Sequence, residues 1–220
     1  MRVLVACEFS GVVRRAFRAR GHDAWSCDLL PSEDNSPYHI QDDVLKNLDD
    51  GWDLMIAHPP CTYLASSGLH WNKRRPGRED QTQEAIIFVR KLLSAPILKI
   101  ALENPIGCIS TVVHKPDQII QPWMFGEDAS KATCLWLKGL PKLKPTGYAT
   151  PHYKCPCGYE FEYELGKYGC ANCLGEHIAK LVFSNQTASG QNKLPPSDHR
   201  QKDRSRTYIG IAEAMANQWG

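Results

Sequence analysis

Short apolar runs alternate with amphipathic stretches along most of the chain. The first run, RVLVAC, has the composition of a buried strand. The next segment, SGVVRRAFRARG, places Val12, Val13, Ala16 and Phe17 on one helical face and ends at Gly21, which indicates a helix. Further strands are predicted in DAWSCDLL, WDLMIAH, ILKIALENP and KATCLWLKGL, with a helix in DQTQEAIIFVRKLL. The alternation predicts an α/β fold with a parallel sheet wrapped by helices.

The last third of the chain divides into three kinds of segment. A cysteine-rich stretch comes first, followed by SNQTASGQNKLPPSD, which has the polar composition of a linker. The closing segment TYIGIAEAMANQWG places Ala212, Met215, Ala216 and Trp219 at helical spacing, so this helix is predicted to dock back on the sheet. We predict a core over residues 1–148, a cysteine-rich module over residues 149–183, and a linker with a returning helix over residues 184–220.

Composition excludes some classes of protein and leaves others open. A chain of 220 residues with 42% hydrophobic content can bury one substantial core. The net charge of +2 is too small to indicate a polyanion partner by itself. No apolar run approaches the roughly 20 residues that a bilayer span needs, and the first residues lack the features of a signal peptide. We therefore expect no membrane association and a cytoplasmic location.

The chain has nine cysteines, an odd number that favours a reducing compartment over a disulfide framework. Two close pairs occur in CPCGYEFEYELGKYGCANC, a pattern typical of a structural, tetrahedral zinc site. The predicted ligands are Cys155, Cys157, Cys170 and Cys173. Because the first pair has a gap of one residue only, His152 or His177 remains an alternative ligand. Four other cysteines are interpreted as small buried apolar residues: Cys7, Cys27, Cys108 and Cys134.

The remaining cysteine, Cys61, directly follows a predicted strand and two prolines. Ligands of open α/β sheets collect at the carboxyl ends of the strands, which makes Cys61 a candidate for chemistry. Pro59 and Pro60 restrict the backbone and so aim the thiol. Glu103 and Asn104 end the next strand, and consecutive strands joined by one helix usually lie side by side. The thiol and the carboxyl group are therefore expected to meet at one pocket.

The sequence HPPC after one strand and ENP after the next resembles the Pro-Cys and Glu-Asn motifs of the cytosine-5 DNA methyltransferases. The resemblance covers most of the chain outside the cysteine-rich module. It implies a Rossmann-like S-adenosylmethionine-dependent methyltransferase sheet, here with a small zinc-ribbon-like insertion. It also implies that Cys61, Glu103 and Asn104 are catalytic. The Cys61 thiolate would add to carbon 6 of cytosine, while Glu103 would bind ring nitrogen 3 and the amino group.

The cofactor implied by the resemblance is S-adenosylmethionine. VLVACEFSGVVRRAF stands where the family has its methionine-binding loop. Asp28 stands where an acidic residue holds the ribose hydroxyls, and Asp43 is placed to contact the adenine. The cofactor-binding residues so implied are Glu8, Phe9, Ser10, Gly11, Asp28, Asp43 and Pro59.

A basic segment, SSGLHWNKRRPGR, follows the candidate nucleophile. It is either an ordinary solvated loop or a source of phosphate contacts to DNA. Lys131 occupies the position of the family's arginine-bearing strand, and two arginines lie near the final helix. The residues predicted to contact DNA are Lys73, Arg74, Arg75, Lys131, Arg204 and Arg206.

Other functions remain compatible with the sequence. Methyltransferases that act on exocyclic amino groups also carry two prolines at this strand end, but they place an aromatic residue where this chain has Cys61. A catalytically inactive, methyltransferase-like zinc-ribbon protein that binds nucleic acid is a second alternative. Methylation of free cytosine nucleotides or of RNA is a third. Departures from the family motif, such as Thr62 after the cysteine, keep these alternatives open.

Overall fold

The computed structural model describes residues 1–149, 152–155, 157, 159–162, 180–186, 193 and 205–220. The chain divides into two compact units. The larger unit comprises Met1–Ile120, Ala132–Lys144 and Thr207–Gly220. The smaller unit comprises Gln121–Lys131 and Pro145–Arg206.

The larger unit contains a seven-stranded mixed sheet. Its strands are β1 (Arg2–Ala6), β2 (Asp23–Asp28), β3 (His39–Gln41), β4 (Leu54–Ala57), β5 (Lys99–Pro105), β6 (Gln118–Ile120) and β7 (Thr133–Lys138). Their order is β3-β2-β1-β4-β5-β7-β6. The first five strands are parallel, and β1 stands at the point from which the sheet grows in both directions. This is the doubly wound, Rossmann-like order, so the predicted α/β sheet is confirmed.

The edge of the sheet departs from the predicted parallel arrangement. Strand β7 lies between β5 and β6 and runs antiparallel to both. The connection from β6 to β7 contains only a short 3-10 turn (Pro122–Met124), without the longer helical crossover that usually joins parallel strands. The apolar run KATCLWLKGL therefore predicted strand β7 correctly. The direction of β7 depends on the connection between β6 and β7.

Five helices accompany the sheet in the described part of the larger unit. They are α1 (Val12–Ala19), α2 (Ser66–Leu69), α3 (Arg78–Leu93), α4 (Ile109–Val112) and α5 (Ile209–Trp219). Every residue of β4 is buried, as expected for a central strand covered on both faces. The four residues predicted to form the apolar face of α5 are buried, and α5 packs against α1.

Of the helices that the structure describes, none has the length and apolar character needed to span a bilayer.

A buried arginine joins α1 to the sheet. The side chain of Arg14 is 1% exposed, and its Nη1 donates a hydrogen bond to Oγ of Ser26 over 2.8 Å. Its Nη2 pairs with the carboxylate of Asp34. Partial burial opposes ionisation of Asp34, but hydrogen bonds from Ser32, Arg14 and Arg15 hold the pKa of this carboxyl group below its usual range. The buried guanidinium is thus paired, as a charge in a core must be.

The smaller unit contains an antiparallel sheet with the order β10-β8-β9. Its strands are β8 (His152–Lys154), β9 (Glu160–Glu162) and β10 (Lys180–Val182). The amide of Cys155 donates to the carbonyl of Tyr159 over 2.9 Å and closes the connection between β8 and β9. The first cysteine pair of the predicted zinc site therefore lies in a hairpin connection.

The substitution Asp34→Asn is expected to lower the free energy of unfolding by about 2 kcal/mol at neutral pH, because it removes the counter-charge of a buried guanidinium. The pKa of Asp34 is depressed in the folded state. Its ionic contribution is therefore complete above the ordinary aspartate pKa of about 4 and is lost as the pH falls through the folded-state value. Urea unfolding of both proteins should show a difference in stability that shrinks in acid.

The exposed residue Asp49 provides the matched control for this measurement. The substitution Asp49→Asn should change the free energy of unfolding little at any pH. A loss in Asp34→Asn that stays constant into acid would contradict the charge pairing.

Candidate functional site

The loops that follow β4 and β5 are joined at the carboxyl edge of the sheet. Ala57, the last residue of β4, is paired with Leu102 in β5. Beyond this pair, Nδ2 of the buried Asn104 donates a hydrogen bond to the carbonyl of Pro59 over 2.7 Å. Two backbone hydrogen bonds continue the connection, from the Ser66 amide to Ile106 O (3.0 Å) and from the Cys108 amide to Leu64 O (2.9 Å). The two segments expected to meet are therefore in direct contact.

Cys61 lies in the turn that begins after the two prolines, and it is exposed. Its carbonyl accepts hydrogen bonds from the amides of Leu64 (3.0 Å) and Ala65 (2.9 Å). Ala65 then forms an isolated bridge with Gly107 in the loop after β5. The backbone is thus held on both sides of the thiol, which leaves the Cys61 side chain at the surface on a constrained turn.

Glu103 lies in β5 with its side chain 14% exposed. One of its carboxylate oxygens, Oε2, lies 3.1 Å from Nδ1 of His58. The His58 side chain is 8% exposed and directly precedes the prolines of the Cys61 loop. This histidine is absent from the residues predicted for the site. A polar residue at the end of an otherwise apolar strand is the signal that could have marked it.

Glu8 is buried at the start of α1, where it accepts hydrogen bonds from the backbone. Its two oxygens accept from the amides of Val13 (2.7 Å) and Arg14 (3.2 Å). Burial raises the pKa of Glu8, while the nearby His58 and the two amides oppose the rise. Glu8 therefore caps the amino end of α1, a place where a carboxylate interacts favourably with the helix dipole.

The other residues predicted to form the methionine-binding loop lie between β1 and α1. Ser10 and Gly11 are buried, and Phe9 is half-buried. Gly11 has a φ of 68°, and a Cβ at this position would collide with the guanidinium of Arg14. Only glycine fits this turn without strain.

A cavity of about 520 Å³ opens at the carboxyl ends of β1, β2 and β4. Loop residues after these strands form part of its wall, and α3 forms another part. Its lining residues are Cys7, Cys27, Asp28, Leu29, Asp42, Asp43, Val44, Pro60, Tyr63, Leu64, Gln81, Glu84, Ala85 and Phe88. Pro60, Tyr63 and Leu64 flank Cys61, so the loop that carries the thiol also lines the cavity. Glu8, Phe9, Ser10, Gly11 and Pro59 are not among the lining residues.

The cavity is acidic. Asp28, Asp42, Asp43 and Glu84 line it, and among the described residues no lysine or arginine does. Burial raises the pKa of Asp28, against the hydrogen bond that its Oδ1 accepts from the Leu30 amide over 2.9 Å. A cavity of this character favours a cationic or neutral ligand over a phosphorylated one.

Two cysteines interpreted as plain core residues also line the cavity. Cys27 is fully buried and Cys7 is half-buried, with a φ of 59°. Burial raises the pKa of the Cys27 thiol to about 11 and raises that of Cys7 as well. These thiols therefore resist ionisation and form part of the cavity wall. Cys108 and Cys134 are buried, as predicted.

The predicted DNA contacts fall into separate parts of the chain. Lys73, Arg74 and Arg75 are exposed between α2 and α3, in the same unit as Cys61. The guanidinium carbons of Arg75 and Arg74 lie 4.4 and 5.9 Å from the ring centre of Trp71. Lys131 and Arg206 belong to the smaller unit, and Arg204 lies outside the described residues.

The zinc site is only partly described. Cys155 is buried and Cys157 is exposed. Cys170, Cys173 and the alternative ligand His177 lie outside the described residues. Within the ranges that the structure describes, no group of three histidine, cysteine or acidic side chains is arranged to hold a metal ion. The four-cysteine zinc site stays a prediction.

Comparison with known proteins does not identify a family. No family model matches the chain, and no curated protein matches it. Among solved structures, the chain is similar to an E. coli crystal structure described as a proposed DNA modification methyltransferase encoded within a prophage. The two share 15% sequence identity, with a TM-score of 0.41 over 62% of this chain and 46% of the other. The chain therefore spans less than half of that protein, and the similarity identifies no activity.

The substitution Gly107→Ala is expected to disturb the connection between the two loops. A Cβ at this position would collide with the carbonyl group of Leu64, which is backbone and cannot rotate away. We expect the free energy of unfolding to fall by about 2 kcal/mol, the usual cost of overpacking, as measured by urea unfolding. The rate of Cys61 alkylation by iodoacetamide should also change, because the turn that contains Cys61 and Leu64 must shift to admit the new Cβ.

The control for this prediction is Gly147→Ala, since a Cβ there would meet no atom within 4 Å. It should leave both the unfolding curve and the alkylation rate unchanged. Equal behaviour of the two variants would argue against a constrained Cys61 loop.

Proposed function

We propose that this protein is an S-adenosylmethionine-dependent methyltransferase that acts on carbon 5 of cytosine in DNA through a covalent Cys61 adduct. The observation that carries the proposal is the direct connection of the Cys61 loop to the segment of Glu103 and Asn104, beside an acidic cavity. The loop of the proposed nucleophile and the segment of the proposed carboxyl group thus meet beside this cavity.

The sheet topology supports the class of enzyme. Open α/β sheets bind ligands outside the carboxyl ends of their strands, and the cavity lies there. The doubly wound order of the first five strands agrees with the Rossmann-like sheet that the sequence resemblance implies. Because one fold hosts many activities, the choice of function depends on the side chains at this edge.

The cavity fits the proposed cofactor in charge and in polarity. S-adenosylmethionine carries a sulfonium cation and no phosphate, whereas a dinucleotide would bring a pyrophosphate beside four acidic residues. Asp28 and Asp43 would accept hydrogen bonds from the ribose and the adenine, as the sequence resemblance implies. Tyr63 and Phe88 supply aromatic surface in the same cavity. When bound, this cofactor supplies the methyl group that is transferred.

Exposure favours Cys61 as the nucleophile. Burial raises the pKa values of Cys27, Cys108 and Cys134, which disfavours their thiolates. Cys61 lies at the surface, on a turn whose backbone is fixed. Reactive cysteines are accessible and able to ionise, whereas buried structural cysteines are inert.

The proposed first step is addition of the Cys61 thiolate to carbon 6 of the cytosine ring. A bond forms between Sγ and carbon 6, and the electron pair of the ring double bond shifts towards the ring nitrogens. Glu103 would bind ring nitrogen 3 and the amino group, stabilising the charge that develops. The addition makes carbon 5 nucleophilic enough to accept a methyl group. A base then removes the carbon 5 proton, the ring double bond forms again, and Sγ leaves carbon 6.

The basic loop after Cys61 supports a nucleic-acid substrate. Lys73, Arg74 and Arg75 are exposed there, and two guanidinium groups lie against the partly exposed ring of Trp71. Cationic groups supply phosphate contacts, and an aromatic face can stack on a base. These contacts would offset the cost of turning the target base out of a duplex.

The substitution Cys61→Ser is expected to reduce methyl transfer by about 10³-fold or more, because the hydroxyl is a far weaker nucleophile than a thiolate. Transfer is measured with radiolabelled S-adenosylmethionine and cytosine-containing duplex DNA, single-stranded DNA, RNA and free nucleotides. DNA carrying 5-fluorocytosine should trap the wild-type protein covalently and leave Cys61→Ser free. The neighbouring substitution Thr62→Ser is the control and should retain both activities.

Three outcomes would contradict this proposal. Label on the exocyclic amino group would indicate the other class of methyltransferase. Label confined to RNA or free nucleotides would exclude DNA as the substrate. Cofactor binding with neither transfer nor adduct would indicate an inactive nucleic-acid-binding protein.

The substitution Asp28→Asn is expected to raise the dissociation constant for S-adenosylmethionine about tenfold. It replaces a charge-assisted hydrogen bond by a neutral one and removes a carboxylate from the cavity. Isothermal titration calorimetry measures the change, and Asp49→Asn is the exposed control. Equal affinity in the two variants would place the cofactor outside this cavity.

A further inference from the structure

Three largely buried titratable side chains lie at the carboxyl edge of the sheet, near the Cys61 loop. Glu8 is 4% exposed, and the side chains of His58 and Glu103 are 8% and 14% exposed. They come from three neighbouring strand ends, since Glu8 follows β1, His58 follows β4 and Glu103 lies in β5. Glu103 is the carboxyl group assigned to the substrate ring, whereas His58 has no role in the reaction proposed so far.

The hydrogen bond to Glu103 determines which nitrogen of His58 carries a proton. A carboxyl group that carries its proton on Oε1, or carries none, can only accept at Oε2, so the 3.1 Å contact with Oε2 of Glu103 assigns a hydrogen to Nδ1. The other ring nitrogen, Nε2, is buried and has no hydrogen-bond partner among the described residues. A buried N–H without an acceptor is costly, which favours the tautomer with its hydrogen on Nδ1.

Glu8 lies near enough to His58 for an electrostatic interaction, but it is hydrogen-bonded to backbone amides. Both Glu8 oxygens already accept amide hydrogen bonds from α1. Burial raises the pKa of Glu8, and the electrostatic influence of His58 opposes that rise. Two carboxyl groups thus influence His58. It is hydrogen-bonded to Glu103 and interacts electrostatically with Glu8.

We propose that His58 is a positioning residue that acts through Glu103, fixing one carboxylate oxygen and stabilising the negative charge that Glu103 acquires when the substrate ring is attacked. This inference rests on the proposed function, because it assigns Glu103 to the cytosine ring. It deepens that function by naming the residue that orients the carboxyl group and tunes its charge.

The charge balance of the addition step explains why a donor is needed at this place. As Sγ of Cys61 bonds to carbon 6, ring nitrogen 3 takes a proton from Oε1 of Glu103. The negative charge that began on the thiolate therefore ends on the Glu103 carboxylate. The Nδ1–H of His58 already points at Oε2, so this hydrogen bond strengthens as the charge arrives. An interaction stronger in the transition state than in the ground state accelerates the step.

Two substitutions distinguish the loss of the His58 hydrogen-bond donor from the loss of its side-chain volume. His58→Ala removes the donor and should lower kcat by about 10² to 10³-fold, with KM changed little, as for loss of a donor to a developing oxyanion. In His58→Asn, the side-chain amide can donate from nearly the position of Nδ1, so most of kcat should return. The exposed residue His114 supplies the control, and His114→Ala should match the wild type.

Thermal melting of each variant separates misfolding from loss of the donor. If His58→Ala melts near room temperature, the comparison of His58→Asn with the wild type still tests the proposal. The inference is overturned if kcat is unchanged in His58→Ala, if KM rises in proportion to the loss, or if a folded His58→Asn recovers nothing.

Nitrogen-15 NMR of the histidine rings tests the hydrogen bond between His58 and Glu103 without an activity assay. The wild-type spectrum should show His58 protonated at Nδ1, and Glu103→Gln should shift that resonance, whereas Glu79→Gln on the exposed start of α3 should not. An unshifted resonance in Glu103→Gln overturns the hydrogen bond and the inference. If the pair is present but the wild type forms no 5-fluorocytosine adduct, the proposed function fails and His58 has no reaction to support.

Discussion

The hydrogen bond from Nδ2 of Asn104 to the carbonyl of Pro59 joins the two loops on which the candidate chemistry depends. Pro59 and Pro60 have no amide hydrogen, so these residues can be tied to the rest of the structure only through their carbonyl groups. Asn104 supplies that donor from a buried position in β5. Its other amide atom, Oδ1, is buried with no partner among the described residues, which leaves an acceptor for a ligand or water at this edge.

The parallel pairing of β4 with β5 makes this contact possible. Because both strands run in the same direction, both chains leave the sheet at the same edge. The turn after Cys61 then returns to the loop after β5 through Ala65 and Gly107. The thiol is therefore positioned by contacts on both sides of it in sequence, and the same loop closes one side of the cavity.

Several acidic residues lie at the carboxyl edge of the sheet, and their environments differ. Glu8 accepts hydrogen bonds from helix amides, and Glu103 is hydrogen-bonded to His58. Asp28 and Asp43 instead line a cavity to which the described part of the chain contributes no basic side chain. Like charges gathered in this manner raise the free energy of the empty site and favour a cationic ligand. The hydrogen-bond partners of each carboxylate, more than the number of acidic residues, distinguish those that hold the fold together from those that can bind a ligand.

The sequence by itself determined most of the strands and helices of the sheet and the adjacency of β4 and β5. Apolar periodicity depends on neighbouring residues only, so it predicted the central strands, α1, α3 and α5, and the adjacency of the β4 and β5 loops. Tertiary structure alone decided the reversal of β7, the burial of Arg14, the pairing of His58 with Glu103, and the presence of Cys7 and Cys27 in the cavity wall. Each of these depends on residues distant in sequence that meet only after folding, and no local pattern records which buried partner a polar side chain will find.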